Sequence, residues 1–358
     1  MATPYCIIFA VKMNNHSLFM HRCIELALNG WSYAAPNPMV GAVLVENEKI
    51  LAEGYHKEFG GPHAEVNCLN QIPETQDLSG CTLYVNLEPC SHHGKTPPCS
   101  DLIIKRGVGS VVVGSVDPNP MVAGKGIQKL QKAGIAVTSG ILEEECHHLN
   151  RRFFFFHSHK RPFITLKWAE TADGFIGLTS DSTTNERKIT GKASQMEVHK
   201  LRATHMSILI GAKTALADDP LLDNRLFPGK SPIKLIIAPE TTIPEDLKLW
   251  RGSSPVVIFT NPSTIQPNKA EVQHITTDRN AIDQVIDYCV KSNIISILVE
   301  GGTFTHRQFI QHSVWNQIYR FVNPNLSWKS GTSAPEITEF TNEKSALVGR
   351  DQLTIYQA

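Results

Sequence analysis

Two α/β domains in series are what this sequence predicts, and three observations carry that expectation. The chain has 358 residues, more than one ordinary core accommodates. Short apolar runs alternate with helix-like stretches on both sides of "HSHKRPF", near residue 158. In the second half the apolar runs are nearly continuous, the pattern of parallel strands buried on both faces. The expected domains are residues 16–157 and 158–358.

Residues 18–30, "LFMHRCIELALNG", predict a short helix with Leu18, Cys23, Leu26 and Ala27 on one face, stopped by Asn29-Gly30. "MVGAVLVENEKILAEG" predicts two strands joined by a polar turn at Glu46–Lys49. A helix opens at "HAEVNCLNQI", and "CTLYVNL" is a strand. "CSDLIIKRG" and "GKGIQKLQKAG" predict helices, each followed by a strand, "SVVVGS" and "IAVTSG". "EEECHHLNRRFFFFH" predicts one last helix. The alternation implies a sheet with helices on both faces. Beyond Arg161-Pro162 come the strand "FITLKWA", a helix at Lys192–Thr204 and the strands "SILIGA", "IKLIIA", "PVVIFT" and "ISILVE", with a helix near Ala281–Lys291 before the last. Residues 1–15 precede the first credible element, and no internal repeat or low-complexity tract is present.

Composition narrows the function. Lys+Arg and Asp+Glu are equal at 34 each, with no long basic run, which argues against affinity built on phosphate-backbone neutralisation. No stretch approaches the roughly 20 apolar residues of a membrane span. "PYCIIFAV" lacks the basic flank and cleavage site of a secretory signal. The eight cysteines are irregularly spaced in a large chain, which points to free thiols in a reducing cytoplasm and to a metal site.

That metal site lies in "EPCSHHGKTPPCS", residues 88–100, together with "GPHAEV" upstream. His63-Ala64-Glu65 and Pro89-Cys90 match the H-x-E…P-C-x-x-C signature of zinc deaminases acting on nucleobases. The second thiolate comes from Cys99, across a loop longer than the usual C-x-x-C. One imidazole and two thiolates leave the fourth zinc position for water, which then ionises at a pKa of about 7. Both donor segments adjoin helix starts, and a helix N-terminus favours Cys99 as thiolate. Glu65 is the proton carrier and not a ligand. His63 and Glu65 diverge only if His63 is the first helical residue, where the backbone is still turning. A closed, structural zinc would instead need His92 or His93 as fourth ligand.

These residues carry a resemblance. "PNPMVGAVLV", "GYH", "PHAE", "LEPCSHHGKTPPCSD" and "DPNPMVAGKGI" resemble the deaminase half of the bifunctional riboflavin-biosynthesis deaminase/reductase family. "LKWAETADGFIG", "ITGKASQMEVHKLRATHMSILIGAKTALADDPLLDNR" and "ILVEGGTF" resemble its reductase half. The resemblance implies an N-terminal cytidine-deaminase-like α/β/α domain and a C-terminal dihydrofolate-reductase-like α/β domain. It implies zinc and NADPH as cofactors and a homo-oligomer acting on small pyrimidine ribose phosphates. Two steps follow: hydrolytic deamination of 2,5-diamino-6-ribosylamino-4-pyrimidinone 5′-phosphate, then reduction of the opened ribose to ribityl.

The same resemblance places Asn37, His56, Lys95, Asp117 and Asn119 in the deaminase pocket. It places Glu186, Arg202, Leu222, Arg225 and Glu300 on the reductase substrate, and Glu170, Lys188, Thr214, Asp218, Gly301 and Gly302 on NADPH. Chemistry agrees for two features. Arg202 and Arg225 are forked donors suited to a phosphate, and a Gly-Gly turn after a buried strand lets backbone N–H groups approach one. This chain departs from the family at "NERKITG", where Glu186 and Lys188 replace a polar-then-aromatic pair, and at "YRFVNPNLSWKSG" near its end. Two competing readings follow: a nucleic-acid deaminase, disfavoured by the neutral charge and the long Cys–Cys loop, and a deaminase whose second domain is a non-catalytic oligomerisation module.

Overall fold

A computed structural model of the chain describes residues 15–92, 97–118, 123–178 and 188–358. It divides into two compact units between Ser158 and His159.

The first unit runs α1 (Asn15–Leu28), β1 (Gly41–Glu46), β2 (Lys49–Tyr55), α2 (Ala64–Leu69), β3 (Thr82–Leu87), α3 (Cys99–Lys105), β4 (Ser110–Ser115), α4 (Lys125–Lys132), β5 (Ala136–Ser139), α5 (Glu143–Leu149) and α6 (Arg151–His159). Its sheet has the order β2-β1-β3-β4-β5. The β1–β2 hairpin is antiparallel and turns at Asn47-Glu48, both left-handed, as a two-residue hairpin loop requires. Alternate strand residues feed two cores. Ala42, Leu44, Leu83, Val85, Val111 and Val113 pack with Cys68, Ile103 and Leu130 of α2, α3 and α4. Val43, Val45, Tyr84 and Val112 pack with Phe19, Met20 and Cys23 of α1 and with Cys146 of α5. Helices therefore cover both faces, as the alternation predicted.

Two local expectations need correction. Leu18 is 55% exposed, and α1 buries Phe19 and Met20 alongside Cys23, Leu26 and Ala27. The single helix expected over "EEECHHLNRRFFFFH" is broken at Asn150. The cause is its side-chain amide. Oδ1 accepts from the N–H of Met39 and Nδ2 donates to the carbonyl of Met39, both at 2.8 Å.

The second unit runs β6 (Phe163–Thr171), β7 (Phe175–Gly177), α7 (Lys192–Thr204), β8 (Ser207–Gly211), α8 (Ala212–Asp218), β9 (Ile233–Ile237), β10 (Val256–Thr260), β11 (Glu271–His274), α9 (Ala281–Lys291), β12 (Ser296–Val299), α10 (Thr303–Gln311), β13 (Gln317–Asn323), β14 (Thr332–Ser333), β15 (Asn342–Val348) and β16 (Asp351–Gln357). The main sheet has the order β11-β10-β9-β8-β12-β6-β13-β16-β15. It is parallel from β11 to β13 and antiparallel at β16 and β15. The apolar runs read as central strands are the parallel ones, buried between a core under α9 and α10 and another beside α8. The antiparallel edge was not foreseen: β15, "NEKSALV", is exposed along nearly its whole length and carries no core pattern. Among the described residues no helix is long and apolar enough to cross a membrane, and Cys23, Cys68, Cys81, Cys90, Cys99, Cys146 and Cys289 are all free.

Candidate active sites

The first site forms where β3 ends and where α2 and α3 begin. His63 caps α2 with an extended backbone (φ −71°, ψ 165°), one residue ahead of the first helical position expected for it. That extended backbone sends His63 and Glu65 in different directions. Cys90 follows the end of β3, and Cys99 opens α3. His63 Nδ1 stands 3.6 Å from Cys90 Sγ and 3.3 Å from Cys99 Sγ, and all three donor atoms lie within 4.8 Å of one another. Ligands sharing one tetrahedral zinc are separated by about 3.5 Å, given Zn–S and Zn–N bonds near 2.3 and 2.0 Å. The donor set therefore fits zinc in both spacing and chemistry. His92 is exposed and outside the cluster, while His93 lies outside the described residues.

The N–H of Cys99, at the start of α3, donates to Cys90 Sγ at 3.2 Å. Hydrogen bonding from Cys99, aided by His63, holds the Cys90 thiol down at about 4 against its burial. Its bond to Cys90, together with burial, pushes the Cys99 thiol up. On zinc both thiols would serve as thiolate ligands. Glu65 is 3% exposed, and burial with the Cys90 charge raises its carboxyl to about 7.

Asn37 and His56 adjoin this cluster. The His56 ring is 5.5 Å from that of His63 and nearly perpendicular to it. Asn37 Nδ2 donates to His56 Nε2 at 3.1 Å, and His56 Nδ1 donates to the carbonyl of Pro62 at 3.0 Å. Burial lowers the His56 pKa, consistent with this neutral tautomer. The backbone N–H of Asp117 donates to Glu88 at 3.2 Å. Lys95 and Asn119 lie outside the described residues.

In the second unit, charged groups meet at the carboxyl end of β12 and the middle of β6. Arg202 Nε and Nη2 bind Glu300 Oε1 and Oε2 at 2.7 and 2.9 Å, and Arg202 Nη1 donates to the carbonyl of Asp223 at 2.9 Å. Its fork is therefore engaged inside the protein rather than open to a phosphate. Lys167 Nζ lies 3.7 Å from Glu300 Oε2. Burial would raise the Glu300 pKa, but Arg202 and Lys167 outweigh it and hold the carboxyl down at about 2. Burial lowers the Lys167 pKa. Lys167 was missed by sequence reasoning, although a lysine inside the apolar strand "FITLKWA" was the available signal. His306 was missed too. It is fully buried, neither ring nitrogen has a partner, and burial holds its pKa down at about 3.

The Gly301-Gly302 turn sits where a cradle is needed. A Cβ on Gly301 would lie 2.6 Å from Ile210, and Gly302 has φ +59° with Thr214 Oγ1 3.0 Å from the position of its missing Cβ. Thr214 and the glycine pair are thus brought together, leaving bare backbone at the start of α10. This arrangement suits a dinucleotide phosphate. Asp218 ends α8. Leu222 and Arg225 flank Asp223, the residue whose carbonyl takes Arg202 Nη1. Leu222 is 2% exposed within an apolar core. Arg225 pairs with Asp223 at the surface. Glu170 Oε2 accepts from Trp168 Nε1 at 2.8 Å, and its Oε1 accepts from Arg320 Nε at 3.0 Å. Lys188 lines a groove with Thr190, Lys192 and Arg350. Glu186 lies outside the described residues.

A buried glutamate beside a His/Cys/Cys cluster on this five-stranded sheet defines a zinc deaminase, here followed in the same chain by a second α/β unit with a mixed nine-stranded sheet. Comparison with known proteins gives the particular lineage. Residues 13–115 match the cytidine and deoxycytidylate deaminase zinc-binding region, and residues 162–341 match the RibD C-terminal domain. The riboflavin biosynthesis protein RibD of Actinobacillus pleuropneumoniae is 38% identical over 94% of each chain, and that of Aquifex aeolicus is 38% identical over 86% of each. The crystal structure of a diaminohydroxyphosphoribosylaminopyrimidine deaminase/5-amino-6-(5-phosphoribosylamino)uracil reductase from Thermotoga maritima superposes with a TM-score of 0.86 at 33% identity, covering 96% of this chain and 98% of its own. The chain belongs to the RibD family and is a bifunctional deaminase/reductase of riboflavin biosynthesis, with zinc and NADPH as its cofactors. Membership removes the reading of the second domain as a non-catalytic module.

Proposed function

We propose that this chain deaminates 2,5-diamino-6-ribosylamino-4-pyrimidinone 5′-phosphate and then reduces the resulting ribosylaminouracil phosphate to its ribityl form. The carrying observation is the cluster of His63, Cys90 and Cys99 beside buried Glu65. His63, Cys90 and Cys99 hold the zinc. Bound there, zinc supplies Lewis-acid activation of water near neutral pH. Glu65 takes one proton of the attacking water to the ring nitrogen, then moves the second, from the hydroxyl on the attacked carbon, to the amine, which leaves as ammonia as the carbonyl forms. A carboxyl pushed up to about 7 both accepts and donates near neutrality. Asn37 and His56 orient the pyrimidine, and Lys95, Asp117 and Asn119 complete the pocket.

In the second site, Lys167, Arg202 and Glu300 face the opened ribose, with Glu186, Leu222 and Arg225 toward the rest of the substrate. Lys167, its charge disfavoured by burial, gives the proton that completes reduction. Thr214, Asp218, Gly301 and Gly302 hold NADPH, which supplies the hydride, with Glu170 and Lys188 as further cofactor contacts. The partners are small molecules and further copies of the chain, not nucleic acid, and the setting is the cytoplasm. Incubating pure protein with the diamino substrate and NADPH tests the proposal. Product masses should show ammonia exchanged for water and then the gain of two hydrogens. Unchanged substrate would overturn it.

A further inference from the structure

Glu88 has no part in the chemistry assigned above, yet it is charged by type and only 4% exposed. A buried carboxylate must be compensated, and here backbone does it. Oε2 accepts from the N–H groups of Asp117 and Gly124 at 3.2 and 2.9 Å. Oε1 accepts from those of Gly126 and Ile127 at 2.8 and 3.2 Å. Gly124, the residue capping α4, offers no side chain, so Glu88 serves the open amides of that helix from outside. The fit is close. A Cβ on Gly126 would lie 2.0 Å from the carbonyl oxygen of Pro89 and 3.1 Å from Glu88 Oε1. The N–H of Glu88 donates to the carbonyl of Ser115 at 2.9 Å, tying the exit of β3 to the end of β4. Two residues later comes Cys90.

We propose that Glu88 is a positioning residue of the deaminase, fixing the Asp117 segment and the start of α4 against the Cys90 loop, and thereby setting affinity for the pyrimidine ribotide rather than the rate of the chemical step. This rests on the reading that Asp117 contacts substrate. Four converging N–H donors need a group that only accepts. A glutamine would aim its own NH2 at two of them, whereas an aspartate keeps the acceptors but shortens their reach.

The test compares Glu88→Gln, Glu88→Asp and Asp117→Ala in the full-length zinc protein. For Glu88→Gln, the deaminase KM should rise about tenfold or more while kcat stays within about threefold. Zinc content should be retained, and reduction of the deaminated substrate should be unchanged. Glu88→Asp should give a smaller rise in KM. If the glutamine variant does not fold, the aspartate variant decides: raised KM with zinc retained supports the proposal, and normal KM overturns it. Zinc loss, or a fall in kcat at normal KM, also overturns it, because Glu88 would then serve the metal or the chemistry. Raised KM for Asp117→Ala with normal KM for Glu88→Gln overturns only the role of Glu88. Normal KM for Asp117→Ala overturns the pocket reading, and this proposal with it.

Discussion

The donor cluster of the first unit and the charged cluster of the second differ in origin and in charge balance. His63 and Cys99 are 36 positions apart, and the ligands come from a strand exit and two helix starts. Arg202 and Glu300 are 98 positions apart, and with Lys167 they come from α7, the end of β12 and β6. The first cluster gathers thiols, an imidazole and a carboxyl, a set suited to a cation. The second pairs its carboxylate internally with two cations. A site suited to a metal is spelled out in ligand types and spacing. A site whose charges pair internally exists only once the sheet has brought distant strands together.

The largest effect should separate the two sites outright. Glu65→Gln should lower deamination by about 10²–10⁴-fold while retaining zinc and reducing the deaminated substrate at the parent rate. NADPH absorbance with each substrate, plus metal analysis, checks this. Loss of both activities would show the sites to be coupled. In the same assays Cys99→Ser should lose the metal and His92→Ala should keep it.

Next comes Arg202→Ala, which leaves Glu300 buried with Lys167 alone. Breaking such a pair typically costs about 3–5 kcal/mol, read as a lower denaturant midpoint for the reductase unit with deamination preserved. An undiminished midpoint would mean that the fork contributes little.

The acid limb of stability sharpens the comparison further. Glu300 is held at about 2, below its ordinary 4.5. The unfolded chain therefore binds its proton first on acidification. Stability from this group is fully present above about 4.5 and is lost as pH falls toward 2, on the order of 3 kcal/mol. His306, held at about 3 from 6.5, adds loss in the same direction from higher pH. Glu300→Gln should flatten the part between about 4.5 and 2 in pH-dependent melts. An unchanged slope there would exclude Glu300 as its source.

The smallest effect is expected at Arg225, whose side chain is 53% exposed beside Asp223. Arg225→Ala should change stability by less than about 1 kcal/mol. It should raise the reductase substrate KM with NADPH affinity unaltered, whereas Asp218→Ala should weaken NADPH binding. Equal losses in both variants, in steady-state kinetics and fluorescence titration, would contradict these roles.

By itself the sequence determined the helix-covered sheets, the candidate donors His63, Cys90 and Cys99, and the acid Glu65. Those features rest on periodicity and residue type, which are local. The tertiary structure decided the rest. It placed the Cys99 amide on Cys90 Sγ. It broke a helix at Asn150 by giving that amide the backbone of Met39. It closed the fork of Arg202 on Glu300, set Lys167 beside them and ran four amides to Glu88. In each case the deciding partner is supplied by another element, and the register of strands and the packing of helices, not the neighbouring residues, choose it.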